Sequence, residues 1–393
     1  MDTLHPTSPR LGRVERVQLS AAGQAAWDHV YKVRSFTGEM PNVFATMANS
    51  ADGLACVGGV GEYVRFRTDF DRIFRELVIL TVAQEMRSGY EWSHHWAIAL
   101  KAGADAALLK RIGTPGLEAE PMPVGPAVRY ARLVTSNLPV DDALVDALKA
   151  HFGARGLVDL TMLCGHYLSL GRFINVAGVR VEPDHMDVPF NRAADAKPAF
   201  APVTGKVSRM RLAGVTRETF AGDKAAVWDH VLASRGVKGW VPHLFAVLGN
   251  SPDALHTVAA VGEYARYKTD FDAVLRELVI MTVARQIDCA YEWTHHWPVA
   301  VKAGASEALL RRIGTPALED EAAPVGPAVR YARLVANNQP VDDALFGTLL
   351  SHYGARRLTD LTNMIGYYGM IGRFINVVGF ELEEGHPAIP FNG

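Results

Sequence analysis

The chain has 393 residues, 49% hydrophobic and 21% charged, with a formal net charge of −2. That balance, with no block of like charges, excludes a strong electrostatic footprint for nucleic acid or an anionic membrane surface, and the length suffices for more than one ordinary core. No apolar run approaches the roughly 20 residues of a membrane span, and the start MDTLHPTSPR lacks a signal-peptide layout, so a cytoplasmic protein without membrane or nucleic-acid partners is expected.

Along the chain, the segments RELVILTVAQEM and HHWAIALKAGA carry apolar residues at three- and four-residue spacing, the pattern of amphipathic helices. The stretch GTPGLEAEPMPVGP interrupts with Pro and Gly, AVRYARLV resumes a helix, and DDALVDALKAHFG ends on a glycine suited to a helix terminus. Strand signals are scarce, so the fold class is all-α, with about six to eight helices per domain. Cys56, Cys164 and Cys289 are an odd set with no Cys-x-x-Cys, which indicates neither a disulfide framework nor a cysteine zinc site.

The second half then repeats the first at a constant offset of 201, which pairs Trp27 with Trp228, Glu62 with Glu263, Arg75 with Arg276 and Asn175 with Asn376. VGPAVRYARLV recurs unchanged, and YEWSHHW (Tyr90 to Trp96) returns as YEWTHHW (Tyr291 to Trp297). Such a repeat is too long for a solenoid unit and long enough for a domain. The expected organisation is a tandem duplication, with repeats over 11–190 and 212–391 and an Ala- and Pro-rich linker over 191–211.

The shared motif is Glu-x-x-His-His. On a helix turning about 100° per residue, Glu91, His94 and His95 fall within an arc of roughly 100°, with Trp92 and Trp96 on an adjacent flank. The same holds for Glu292, His295 and His296. A Glu and a His one turn apart also serve simply to satisfy a half-buried helix. Aromatic crowding by Tyr90, Trp92, Tyr291 and Trp293 suggests instead a desolvated pocket, where burial raises a carboxyl pKa and a carboxylate raises that of His, bringing both toward neutrality.

Through RELVILTVAQEMRSGYEWSHHWAIALKAG and RELVIMTVARQIDCAYEWTHHWPVAVKAG, each repeat resembles the carboxymuconolactone decarboxylase and alkylhydroperoxidase AhpD-like superfamily. MPNVFATMANS and GRFINVAGVRVE carry the same resemblance. It implies a tandem AhpD-like helical fold. The peroxide-reducing branch uses a Cys-x-x-Cys pair on the motif helix, and without that thiolate nucleophile this chain is not a thiol peroxidase. The decarboxylase branch implies a cofactor-independent lyase acting on a small organic acid or lactone, with no metal. Its acid–base residues would be Glu91, His94, His95, Glu292, His295 and His296, joined by the helix-opening Glu76 and Glu277. Arg75 and Arg276 are candidates for a substrate carboxylate, and Tyr90, Trp92, Tyr291, Trp293 and His166 for further substrate contacts. His166 is replaced by Tyr367 in the second repeat.

Other readings of the same letters are a proton-transfer isomerase, a non-catalytic small-molecule binding module, or a metal-dependent enzyme. In carboxylate-bridged di-metal bundles Glu-x-x-His supplies ligands, and Glu62, Glu76, Glu263 and Glu277 would be the spare carboxylates. The family's single domains assemble as trimers or hexamers, which implies a homotrimer of the fused pair, with a homodimer as second choice.

Overall fold

A computed structural model describes residue 6 and residues 8–191, 207, 209–220, 223–236, 240–386 and 388–391; most of the expected linker lies outside them. The described residues form helices and connecting loops, without a strand. Each repeat contains the same sequence of helices. In the first these are Ala21–Val33, Asn42–Met47, Ala51–Phe66, Arg72–Met86, Gly89–Lys101, two single turns at Ala106–Leu109 and Pro115–Glu118, Val124–Thr135 and the long Asp142–Ala177. The Pro- and Gly-rich stretch expected to be irregular thus contains one short turn.

Local chemistry sets the elements that matter most. Asp71 caps the core helix Arg72–Met86 by accepting from the amides of Ile73 at 2.9 Å and Phe74 at 3.1 Å, and Asp272 does the same for Ala273–Gln286. That helix stops at Arg87, which is left-handed with φ 52°, and the motif helix Gly89–Lys101 starts two residues later, folding back as an αα-hairpin. The glycine read as a helix end, Gly153, has φ 72° and breaks Asp142–Ala177 into two helical stretches; Gly354, with φ 71°, does the same in Asp343–Val378.

The halves of the long helices beyond these glycines pack on each other and form the centre of the molecule. Gly165 faces Met370 and Gly366 faces Ser169, so small residues allow the close crossing. One hydrophobic core runs through both repeats. Polar contacts between the halves come in nearly symmetric pairs. Arg172 donates to the carbonyl of Ala336 at 2.6 Å and Arg373 to that of Val134 at 3.1 Å. Tyr63 donates to Asp159 and Tyr264 to Asp360, and Ser251 and Ser50 of the opposite repeats approach those phenols at 3.5 Å and 3.4 Å. The carbonyl of Met86, orphaned at the end of the core helix, accepts from Asn175 of its own repeat and Asn338 of the other, at 3.0 Å and 3.1 Å. The duplication therefore folds as an internal pseudo-dimer, and the hairpin that carries the motif is anchored from both sides.

Candidate active site

Nineteen residues apart in sequence, Glu76 on the core helix and His95 on the motif helix meet across the hairpin, with Glu76 Oε2 2.5 Å from His95 Nδ1. The other ring nitrogen, Nε2, lies 3.3 Å from Glu91 Oε2, one turn earlier on the same helix. Glu76, Glu91 and His95 are 1%, 4% and 4% exposed. Repeat two reproduces this: His296 Nδ1 is 2.6 Å from Glu277 and its Nε2 is 3.2 Å from Glu292. Burial opposes charge on the imidazole, but Glu76 and then Glu91 outweigh it and raise His95; His296 is raised to about 9 by the same balance. Burial would likewise raise Glu76 and Glu277, yet the facing imidazolium holds both below the usual carboxylate range. Each site thus holds an imidazole ring between two carboxylates that favour its protonated form.

His94 serves a different group. Its Nε2 lies 2.6 Å from Glu182 Oε2, while Glu182 Oε1 accepts from the Tyr90 hydroxyl at 2.8 Å and the Asn42 amide at 2.6 Å. Burial works against the Glu182 anion, but the hydrogen bonds from His94 and Asn42 bring it down to about 2. His295, Tyr291 and Glu383 repeat the cluster, and Glu383 is also held at about 2. This second group fixes the tail after the long helix against the motif helix.

Tyr90, Glu91, His94 and His95 line a cavity of about 90 Å³, together with Arg34, Arg65, His166 and Tyr167. Tyr291, Glu292, His295 and His296 line a separate cavity of about 120 Å³ with Arg235, Arg266, Tyr367 and Tyr368. The two cavities share no residue. Glu76 and Glu277 stand behind the histidines, one step from the cavity.

Several expected contacts are not brought there. Arg75 is turned toward Glu76, with Nε 4.0 Å from Oε1, and Arg276 is 3.3 Å from Glu277, so they address the buried carboxylates and do not line the cavities. Trp92 and Trp293 are fully buried in separate apolar clusters; Trp92 donates its indole N–H to the Pro189 carbonyl at 3.2 Å. Their bulk packs the outer face of the motif helix. Glu62 and Glu263, considered as spare metal ligands, are engaged by His29 at 2.7 Å and His230 at 3.1 Å. Among the described residues no group of three or more His, Cys, Asp or Glu has a metal-binding arrangement, and the two motifs do not face one centre.

Sequence reasoning missed Arg34, Arg65 and Glu182, which lie far from the motif along the chain. A signal was present: each is identical at the offset position, as Arg235, Arg266 and Glu383.

The sequence model of the carboxymuconolactone decarboxylase family matches residues 54–136 and 252–338, one stretch in each repeat. Each match includes the buried Glu–His pair and the motif helix, but not Arg34, Glu182 or their counterparts. An uncharacterized Escherichia coli (strain K12) protein, YnjA, is 33% identical over 120 residues, which cover 29% of this chain and 64% of that protein. No described helix is long and apolar enough to cross a membrane. The chain therefore carries two tandem stretches similar to the carboxymuconolactone decarboxylase family, one in each repeat.

Proposed function

We propose that each repeat is an acid–base catalytic site of a cofactor-independent, decarboxylase-like lyase acting on a small organic acid or lactone. The observation that carries the reading is the His95 ring, suspended between Glu76 and Glu91 at the wall of a small cavity and raised in pKa. Glu76 fixes the ring and its charge from behind. Glu91, at the cavity, exchanges protons with whatever the cavity holds.

In a decarboxylation, the bond to the departing carboxylate breaks and its electron pair moves into an adjacent carbonyl. The His95 cation stabilises the resulting oxyanion, and a proton then passes from the His95–Glu91 pair to carbon. The same groups serve a proton-transfer isomerase, in which Glu91 takes a proton from one carbon and returns it to another. The half-buried hydrogen bonds of Glu182 with His94 and of Glu383 with His295 keep the motif helix in place. The two matches to the carboxymuconolactone decarboxylase family support a decarboxylase-like direction. A cytoplasmic homotrimer is part of the proposal, tested by light scattering of the full chain.

The test is CO2 release, and deuterium incorporation from D2O, over a panel of carboxylated lactones and enolisable acids. The Glu91→Gln, Glu292→Gln double variant is expected to lose at least about 100-fold in rate, the low end of general acid–base contributions, with each single variant retaining the other site. Equal turnover by the folded double variant would overturn the assignment.

A further inference from the structure

We infer that the arginine pair of each cavity, Arg34 with Arg65 and Arg235 with Arg266, anchors a substrate carboxylate, so that both sites take small organic acids. The inference rests on the proposed reading of these cavities as substrate sites and names what they bind.

Arg34 is held in place by its own surroundings. Its Nη2 donates to the Gly58 carbonyl at 3.0 Å and its guanidinium lies 4.7 Å above the Phe44 ring, while Nη1 is buried without a hydrogen-bond partner. Arg65 Nε is likewise buried and unpartnered. Neither makes an ion pair among the described residues, in contrast to Arg67 with Glu62 or Arg211 with Asp142. The carboxylate at the same cavity, Glu91, is already directed at His95. Two guanidinium groups therefore share one small cavity without a direct ion pair among the described residues, the Arg65 charge acting at longer range on Glu76. Burial and then the Arg65 charge lower Arg34 to about 10, a mutual repulsion that a bound anion would relieve.

His166 completes the wall. It is 4% exposed, and burial followed by the charges of Arg34 and Arg65 lowers it to about 3, so it stays neutral and can hydrogen-bond without adding charge. Gly61 makes room for this group, because a Cβ there would stand 2.7 Å from Arg34 Nη2 and 2.9 Å from His166 Nε2. In repeat two, Arg235 donates to the Ala259 carbonyl at 2.7 Å and lies 4.6 Å above Phe245, as Arg34 does to Gly58 and Phe44, while its Nη1 differs in donating to the Val231 carbonyl at 3.3 Å and Ser234 Oγ at 2.8 Å. Arg266 Nε is again buried and unpartnered, here on the π-helical turn Tyr264–Lys268.

A planar guanidinium is the natural partner for a carboxylate, which it can grip through two parallel N–H bonds. Size narrows the class: an apolar cavity of about 150 Å³ accommodates benzene, so cavities of about 90 and 120 Å³ suit an acid of a few carbons. A carboxylate held by two arginines is stabilised where it is. The group that leaves or loses a proton is then another part of the same molecule, placed toward Glu91 and His95.

Titration calorimetry of the full chain with propionate and with its neutral isostere propionamide tests this. Wild-type protein is expected to bind propionate, with propionamide at least about 10-fold weaker. Arg65→Met with Arg266→Met is expected to weaken propionate at least about 10-fold and to abolish the preference over the amide. Should that variant not fold, Arg65→Lys with Arg266→Lys keeps the charge while losing the fork, and the same loss of acid-over-amide preference is expected at reduced size. Equal binding of acid and amide, no saturable propionate binding by the wild type, or unchanged propionate affinity in a folded arginine variant would overturn the inference. The Glu91→Gln, Glu292→Gln protein keeps propionate binding if the anchor is right, even where the acid–base reading fails in the turnover assay.

Discussion

His95 Nδ1 and Glu76 Oε2 stand 2.5 Å apart in a region where Glu76 is 1% exposed and His95 4%. In so dry a place a single unpaired charge is far more costly than the pair. Replacing His95 by Ala leaves the buried Glu76 carboxylate with only the distant Arg75, 4.0 Å away, and is expected to cost roughly 3–5 kcal/mol in urea unfolding. Glu76→Gln is expected to cost less, because the ring can shed its proton and keep a neutral hydrogen bond.

Stability should follow pH in a direction fixed by the same pair. The folded pKa of His296, about 9, lies above its ordinary value of 6.5, so its contribution is fully present below about 6.5 and lost as pH rises toward about 9. Glu182 and Glu383 have the opposite sign. Held at about 2 against 4.5, they contribute above about 4.5 and lose that contribution as pH falls. Thermal unfolding across pH should show Glu277→Gln flattening the alkaline limb and Glu182→Gln the acid limb.

The helix crossing at the centre predicts a steric effect remote from either cavity. A side chain at Gly165 would run into Met370, and one at Gly366 into Ser169. Gly165→Val is expected to destabilise the protein by about 1–3 kcal/mol, as overpacking does, shifting the denaturant midpoint of both repeats together. Unfolding in two separate steps would show that the repeats are not one cooperative body.

Metal removal should leave the site as it is. Both ring nitrogens of His95 and of His296 are directed at carboxylates, which leaves no lone pair for a ligand bond. Dialysis against EDTA is therefore expected to change neither the melting temperature nor turnover; loss of either on dialysis, restored by a divalent ion, would argue for the metal-dependent alternative.

Much of this was legible in the letters because it is local or periodic. The helical spacing of RELVILTVAQEM, the break at Gly153 and the constant offset of 201 are properties of neighbouring residues or of whole-chain comparison, and the all-α tandem fold follows from them. The Glu91–His95 proximity is a one-turn relation on a single helix and could be drawn on paper. Glu76 joins it only through the turn at Arg87, whose left-handed backbone no propensity rule assigns to arginine. Arg34, Arg65 and Glu182 reach the cavity from three further segments, and tertiary packing alone brings them there. The tryptophans misled for a related reason: an aromatic beside a catalytic-looking residue on a helix points to another face, and Trp92 spends its surface on the core.

The proposed chemistry depends on the proton held between two carboxylates. Its most direct test is a pH titration of ¹⁵N-labelled histidine rings by NMR in the wild type and in Glu277→Gln. The prediction is a His296 ring that stays doubly protonated up to about pH 9 and becomes neutral at markedly lower pH once Glu277 is gone. A His296 ring already neutral at pH 7 in the wild type, or one whose titration ignores the loss of Glu277, would contradict it.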